Sequence, residues 1–278
     1  VVTAVGAGVT SVKVGDRVAV HATVSCGTCK TCLVTSCAEC SRARQIGVHF
    51  PGGYAEYVCV PARNAHRVPN GLSFAHATIV VRHGPAAFQL IDDKARTQAG
   101  EWVLVMGAAG GLGSCCVQAA KVRDARVIAA AGADDRVRTG LDLGADAGVN
   151  YRTEDLVARV SEITGGAGVD VVCDSIADPT TFPQAFECLA HRGRVVTMGA
   201  HGGGKVTVDM RRLYGRRLQI IGAAGVTAKN FEDALAAAAT GRMKGVVART
   251  FPLGQAADAH RLLESGATAG KVILDPTL

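Results

Sequence analysis

The sequence predicts an α/β fold in which a doubly wound parallel sheet joins a smaller β-rich unit carrying a metal lobe. Three observations carry that expectation. From Glu101 onward, near-continuous apolar runs alternate with helix-patterned segments, five cysteines crowd into residues 26–40, and residues 1–75 break into short β-rich runs separated by glycine turns. Buried strands alternating with helices are the pattern of a parallel sheet covered on both faces. With 278 residues, 48% apolar and 19% charged, the chain is long enough for one large domain or two ordinary ones.

Composition narrows the class of protein. The net charge is +6, but the basic residues are scattered, and the densest cluster (Arg211, Arg212, Arg216 and Arg217) has only Tyr214 beside it for stacking. Scattered charge of this kind is a solvated surface, so no nucleic-acid partner is expected. No apolar run approaches the roughly 18 residues that a membrane span needs. The opening Val1-Val2-Thr3 lacks a basic region followed by an apolar one. No membrane partner and a cytoplasmic location are therefore expected. The chain starts in mid-pattern on a valine, which predicts that an upstream segment is lacking.

The elements follow in order. Asp16–Ala22 and Tyr54–Val60 read as strands of a small antiparallel unit. Trp102–Met106 is an apolar strand, Leu112–Lys121 a helix, Arg126–Ala130 a strand and Asp134–Leu143 a helix. Strands at Val169–Cys173, Arg194–Met198 and Leu218–Ile221 continue the sheet, with a helix at Phe182–Leu189. After Gly225 come a helix (Phe231–Ala239), a strand (Val246–Phe251), a helix (Ala256–Leu263) and a last strand (Lys271–Leu274).

Cys26, Cys29 and Cys32 stand at Cys-x2-Cys-x2-Cys spacing, and Cys40 follows. Short Cys-x2-Cys loops present two sulfurs on one side of a turn, which suits tetrahedral zinc. Disulfides are disfavoured in a reducing compartment. Cys26, Cys29, Cys32 and Cys40 are the expected ligands of one zinc per chain. Cys37 is a fifth candidate, and spacing alone leaves open which four bind. A closed shell of four thiolates leaves no position for substrate, so the metal is expected to be structural. Cys59, Cys115, Cys116, Cys173 and Cys188 lie in apolar segments and read as buried, inert thiols.

Strand Trp102–Met106 runs into Gly107-Ala108-Ala109-Gly110-Gly111-Leu112-Gly113 and then a helix. A glycine turn between a strand and a helix lets the backbone approach a pyrophosphate while the helix N-terminus faces its charge. Gly107, Ala109, Gly110, Gly111, Leu112 and Gly113 are therefore candidate dinucleotide contacts. An NAD site usually has an acid at the end of the next strand. Here that strand ends Ala129-Ala130-Ala131-Gly132, and Arg136 follows. NADP is the expected cofactor, with Arg136 on its 2′-phosphate. NAD is the alternative, since Asp134 and Asp135 stand nearby.

Gly15-Asp16-Arg17-Val18, the spaced cysteines, Gly52-Gly53-Tyr54-Ala55-Glu56-Tyr57 and the glycine turn occur in one order with Leu143-Gly144-Ala145-Asp146, Val149-Asn150-Tyr151-Arg152, Gly193-Arg194-Val195-Val196 and Gly270-Lys271-Val272-Ile273-Leu274. As a set they resemble the medium-chain dehydrogenase/reductase family across nearly the whole chain. The turn is similar to the quinone reductase branch, and the cysteine lobe to zinc alcohol dehydrogenases. The resemblance implies a GroES-like catalytic domain over residues 1–85 with its zinc lobe at 26–40, a Rossmann domain over 86–225, and a return to the catalytic domain over 226–278. It implies that Tyr151 joins Arg136 at the 2′-phosphate and that Gly199 and Ala200 lie near the nicotinamide. It also implies a homodimer or homotetramer.

Two departures accompany the resemblance. Arg82 stands where zinc alcohol dehydrogenases have a cysteine ligand of a catalytic zinc, and Ala86 replaces a threonine common near the nicotinamide. Arginine stays protonated and does not ligate zinc. Arg82 and His83 are then the visible candidates for handling charge on a substrate oxygen, with His201 of similar standing, and no catalytic residue is assigned. The expected function is NADPH-dependent reduction of a small carbonyl, quinone or activated alkene. The alternatives are a zinc-dependent alcohol dehydrogenase acting on a small alcohol/aldehyde pair, and a non-catalytic nucleotide-binding protein.

Overall fold

The computed structural model describes residues 1–34, 37–266 and 268–278. The chain forms two compact units, Val1–Pro85 with Gly225–Leu278, and Ala86–Ala224. Gly225 falls with the first unit, one residue before the sequence boundary, because its α-carbon packs on the Ala38 carbonyl: a Cβ there would stand 1.9 Å from that oxygen.

The first unit begins with β1 (Val18–Val20), β2 (Thr23–Val24), α1 (Lys30–Val34), β3 (Arg44–Gln45), β4 (Ala65–Arg67) and α2 (Phe74–Phe88). β1 pairs antiparallel with β4, Val18 opposite Arg67, and β2 pairs antiparallel with β3. The antiparallel character is as expected, but Tyr54–Val60 forms no strand. Tyr57 is 73% exposed, and no strand edge among the described residues offers that segment a ladder. Apolar alternation makes a strand only where a neighbour takes up its amides and carbonyls.

The second unit runs β5 (Trp102–Met106), α3 (Gly111–Val122), β6 (Arg126–Ala131), α4 (Asp134–Asp142), β7 (Ala147–Asn150), α5 (Leu156–Ile163), β8 (Val169–Cys173), α6 (Thr181–Glu187), β9 (Leu189–Thr197), α7 (Met210–Gly215) and β10 (Gln219–Gly222). The six strands are parallel in the order β10-β9-β8-β5-β6-β7. The chain fills one side of β5 and then crosses to fill the other. That reversal leaves a crevice at the carboxyl ends of β5 and β8, where such sheets bind ligands. Leu104, Ile128, Val149, Leu189 and Val195 are fully buried between the layers. Each contributes about 1.5–3 kcal/mol relative to exposure. The helix expected over Phe182–Leu189 stops at Glu187, because Leu189 opens β9 by pairing with Val169.

The chain then returns to the first unit as α8 (Ala228–Ala239), β11 (Val247–Pro252), α9 (Ala256–Glu264) and β12 (Lys271–Asp275), with β11 parallel to β12. A capping box between Thr227 and Asn230 starts α8. Phe231 of α8 then packs with Ala77 and Val81 of α2 and Ala19 of β1. Both ends of the sequence thus share one core. Among the described residues, no helix is long and apolar enough to cross a membrane.

Candidate cofactor and metal sites

The cysteine lobe follows β2. Cys26, Cys29, Cys32 and Cys40 place their sulfurs within 4.8 Å of one another, and Cys37 lies outside this group and is exposed. Residues 35 and 36 of the lobe lie outside the described residues. The Sγ–Sγ distances are 3.9 Å for Cys26–Cys32, 3.4 Å for Cys29–Cys32, 3.9 Å for Cys29–Cys40 and 3.6 Å for Cys26–Cys40. Zinc–sulfur bonds of about 2.3 Å give a thiolate tetrahedron edges of about 3.8 Å, so the donor set fits the ion. Backbone amides turn inward as well: Cys29 N–H donates to Cys26 Sγ at 3.3 Å, and Cys26 N–H donates to Cys40 Sγ at 3.3 Å. The Thr28 amide holds the Cys26 thiol down to about 5, and the Cys32 amide lowers Cys29. Burial and the neighbouring thiols push Cys32 up. Four thiolates cannot coexist there without a cation. Arg42, which the sequence did not single out, adds a guanidinium beside Cys26.

Of the remaining cysteines, Cys115, Cys116, Cys173 and Cys188 are buried as expected, whereas Cys59 is exposed because its segment forms no strand.

In the second unit the glycine turn closes tightly. Gly107 takes φ +66°, a Cβ on Gly113 would stand 2.2 Å from the Gly107 carbonyl oxygen, and one on Gly110 would stand 3.2 Å from it. Ala109 is buried, and Gly111 and Leu112 open α3. Gly110 precedes α3 with no side-chain cap, so the first-turn amides of Gly111, Leu112 and Gly113 face outward with the positive end of the helix. A cradle with no room for a β-carbon, opening on an uncapped helix, fits a pyrophosphate.

The ends of β6 and β7 come together beside it. Tyr151 N–H donates to the Ala131 carbonyl at 3.1 Å, extending the β6–β7 pairing. A Cβ on Gly132 would stand 3.1 Å from Arg152 Nε, 3.1 Å from Tyr151 Cε2 and 3.2 Å from Tyr151 Oη. Arg136 lies in the first turn of α4, close enough that its charge and that of Arg152 act on the Tyr151 phenol, which burial pushes up. Buried Asn150 holds the corner. Its Nδ2 donates to Asp134 Oδ1 at 2.6 Å, and its Oδ1 accepts from the Arg152 amide at 3.1 Å. Arg136 thus lies within electrostatic reach of Tyr151, and Arg152 is a third member of this corner.

On the other side of β5, a Cβ on Gly199 would stand 2.7 Å from the Ser175 carbonyl, and exposed Ala200 and His201 follow. Asp174, fully buried at the end of β8, accepts the Ile176 and Ala177 amides on Oδ1, and its Oδ2 has no partner. Burial raises its pKa. Asp174 was not evident from sequence. Ile176 closes over the turn, 3.1 Å from a Cβ on Gly107.

The position that the resemblance gives to a catalytic-zinc cysteine holds Arg82, exposed on α2 beside half-buried His83. Burial chiefly, then His66 and Arg82, lowers His21 to about 4, and burial followed by Arg82 lowers Lys271. A guanidinium, which cannot ligate a metal and whose field opposes protonation of His21 and Lys271, does not fit a divalent metal ligand set. The only group of three or more convergent metal-ligating side chains among the described residues is the four-cysteine lobe.

The comparisons agree with this architecture. Residues 1–70 match the family model of the alcohol dehydrogenase GroES-like domain, and residues 111–240 that of zinc-binding dehydrogenases. The NAD-dependent alcohol dehydrogenase of Sulfolobus acidocaldarius is 30% identical over 98% of this chain and 78% of its own length. A crystal structure of an NAD-dependent alcohol dehydrogenase superposes with a TM-score of 0.91 at 36% identity, covering 98% of this chain and 79% of that one. The cobalt- and zinc-bound thermostable alcohol dehydrogenase of Pyrobaculum aerophilum gives a TM-score of 0.84 at 32% identity, covering 99% and 79%. The chain belongs to the zinc-type medium-chain dehydrogenase/reductase family, whose members are NAD(P)-dependent oxidoreductases.

Proposed function

We propose that the protein interconverts a small alcohol and its carbonyl compound using NADP(H). The observation that carries the reading is the glycine turn, where Gly113 abuts the Gly107 carbonyl at the mouth of an uncapped α3. The nicotinamide, when bound, supplies or accepts the hydride. The chain's own residues bind and orient it: the turn takes the pyrophosphate, Arg136 and Tyr151 the 2′-phosphate, and the loop at Gly199 and Ala200 the nicotinamide end. The printed names of the relatives support an alcohol–carbonyl pair over a quinone or activated alkene. They also name NAD, so NADP rests on the missing acid at Gly132 and the cations beside it.

The step carries charge on the substrate oxygen, which needs a nearby cation or amide. Arg82 supplies a cation at the position of the expected metal ligand. That residue also favours a second reading, metal-free reduction of a quinone or activated alkene. Steady-state assays with both cofactors on alcohols, carbonyls, quinones and enones test the choice. Turnover of alcohol–carbonyl pairs supports the first reading, turnover of quinones or enones alone supports the second, and tight cofactor binding without turnover supports a non-catalytic role. The family resemblance further supports a homodimer or homotetramer, testable by sedimentation.

A further inference from the structure

Resting on the NADP(H) reading, we propose that Arg152 is the residue that selects the 2′-phosphate, filling from the turn after β7 the space that an acidic side chain at position 132 would need. An NAD-preferring site places a carboxylate at the end of the second strand to accept the ribose hydroxyls. In this chain Gly132 follows directly on that strand, and the volume of the absent side chain is taken by Arg152 Nε and the Tyr151 phenol, all within 3.2 Å of the Cβ position. The guanidinium thus stands where the carboxylate of an acidic residue 132 would lie.

Three features hold Arg152 to this task. Its backbone is pinned by Asn150 Oδ1, and Asn150 is itself tied to Asp134 at the start of α4. No carboxylate among the described residues pairs with the Arg152 side chain. The α4 N-terminus, with Ala133 as a cap that offers no side-chain bond, points its amides to the same corner. Arg136 is less well placed, because it shares its turn with Asp134 and Asp135. A planar fork of N–H donors suits a phosphate dianion and has nothing to gain from a ribose hydroxyl pair.

The test is calorimetric titration of the wild-type chain, Arg152→Ala and Arg152→Lys with 2′,5′-ADP and with ADP, which probes the adenosine end without any turnover. Wild type is expected to bind 2′,5′-ADP at least tenfold tighter than ADP. Arg152→Ala is expected to lose about tenfold to a hundredfold in 2′,5′-ADP affinity with ADP affinity unchanged, as a charged hydrogen bond implies. Arg152→Lys is expected to fall between them. If wild type prefers 2′,5′-ADP and Arg152→Ala keeps that preference within twofold, the role of Arg152 is overturned while the NADP(H) reading stands. If wild type shows no preference, both fall. Equal losses for the two ligands would mark Arg152 as merely structural and would also overturn the proposal.

Discussion

The Gly107 carbonyl oxygen lies 2.2 Å from where a β-carbon on Gly113 would stand. The turn between β5 and α3 therefore closes on bare backbone.

Gly113→Ala forces the turn open. Overpacking of this kind costs about 1–3 kcal/mol, and the displaced amides no longer meet the pyrophosphate. Melting temperature should fall by several degrees and NADPH affinity by more than about tenfold. Gly110→Ala, with 3.2 Å available, should do less of both. Thermal melts and fluorescence titration measure the pair.

The cysteine lobe should hold one zinc per chain, and Cys40→Ser should release it. Structural zinc contributes about 10–16 kcal/mol in small peptides, comparable with or above the roughly 5–15 kcal/mol of a whole domain. The variant should therefore open locally around residues 26–40, seen as new proteolytic cleavage there, while NADPH binding by the second unit persists. Elemental analysis giving two zincs per chain for wild type would contradict the reading of Arg82.

Stability should depend on pH through His21. Its ring stands edge-on to Phe231 at 4.8 Å, and burial with the nearby His66 and Arg82 lowers its pKa from 6.5 to about 4. Below 6.5 the unfolded chain binds a proton that the folded state refuses. Stability is thus fully present above 6.5 and is lost as pH falls from there towards 4, by at most about 3 kcal/mol. Urea unfolding at pH 7.5, 5.5 and 4.5 should show that slope, and His21→Gln should flatten it.

Asn150→Ala removes the side chain that ties Asp134 of α4 to the Arg152 amide. Asp134 and Arg152 are themselves exposed and regain water as a partner, so the loss is about 0.5–1.5 kcal/mol for each hydrogen bond. Urea unfolding should show that loss, and 2′,5′-ADP affinity should fall more than ADP affinity.

Much of this was legible in the chain itself. Trp102–Met106 and Val169–Cys173 were readable as strands because both faces are buried, which leaves an unbroken apolar run. Four ligand sulfurs were readable because their spacing is local. Tyr54–Val60 misled because alternation reports a face and not a partner. Arg152 and Asp174 were hidden for a related reason: Arg152 closes a motif that does not tell its role, Asp174 has no motif, and each gains meaning only when parallel pairing brings Tyr151 beside Gly132 or buries the end of β8. Cys37 shows the limit of spacing, since it sits among the ligands in sequence and touches Cys32 in space, yet is not one of the four sulfurs that converge.

The most direct test of the account is calorimetric titration of the folded protein with NADPH and with NADH. One site per chain is expected, with NADPH bound at least about tenfold more tightly, as one added charged hydrogen bond implies. Failure of both nucleotides to bind would contradict it.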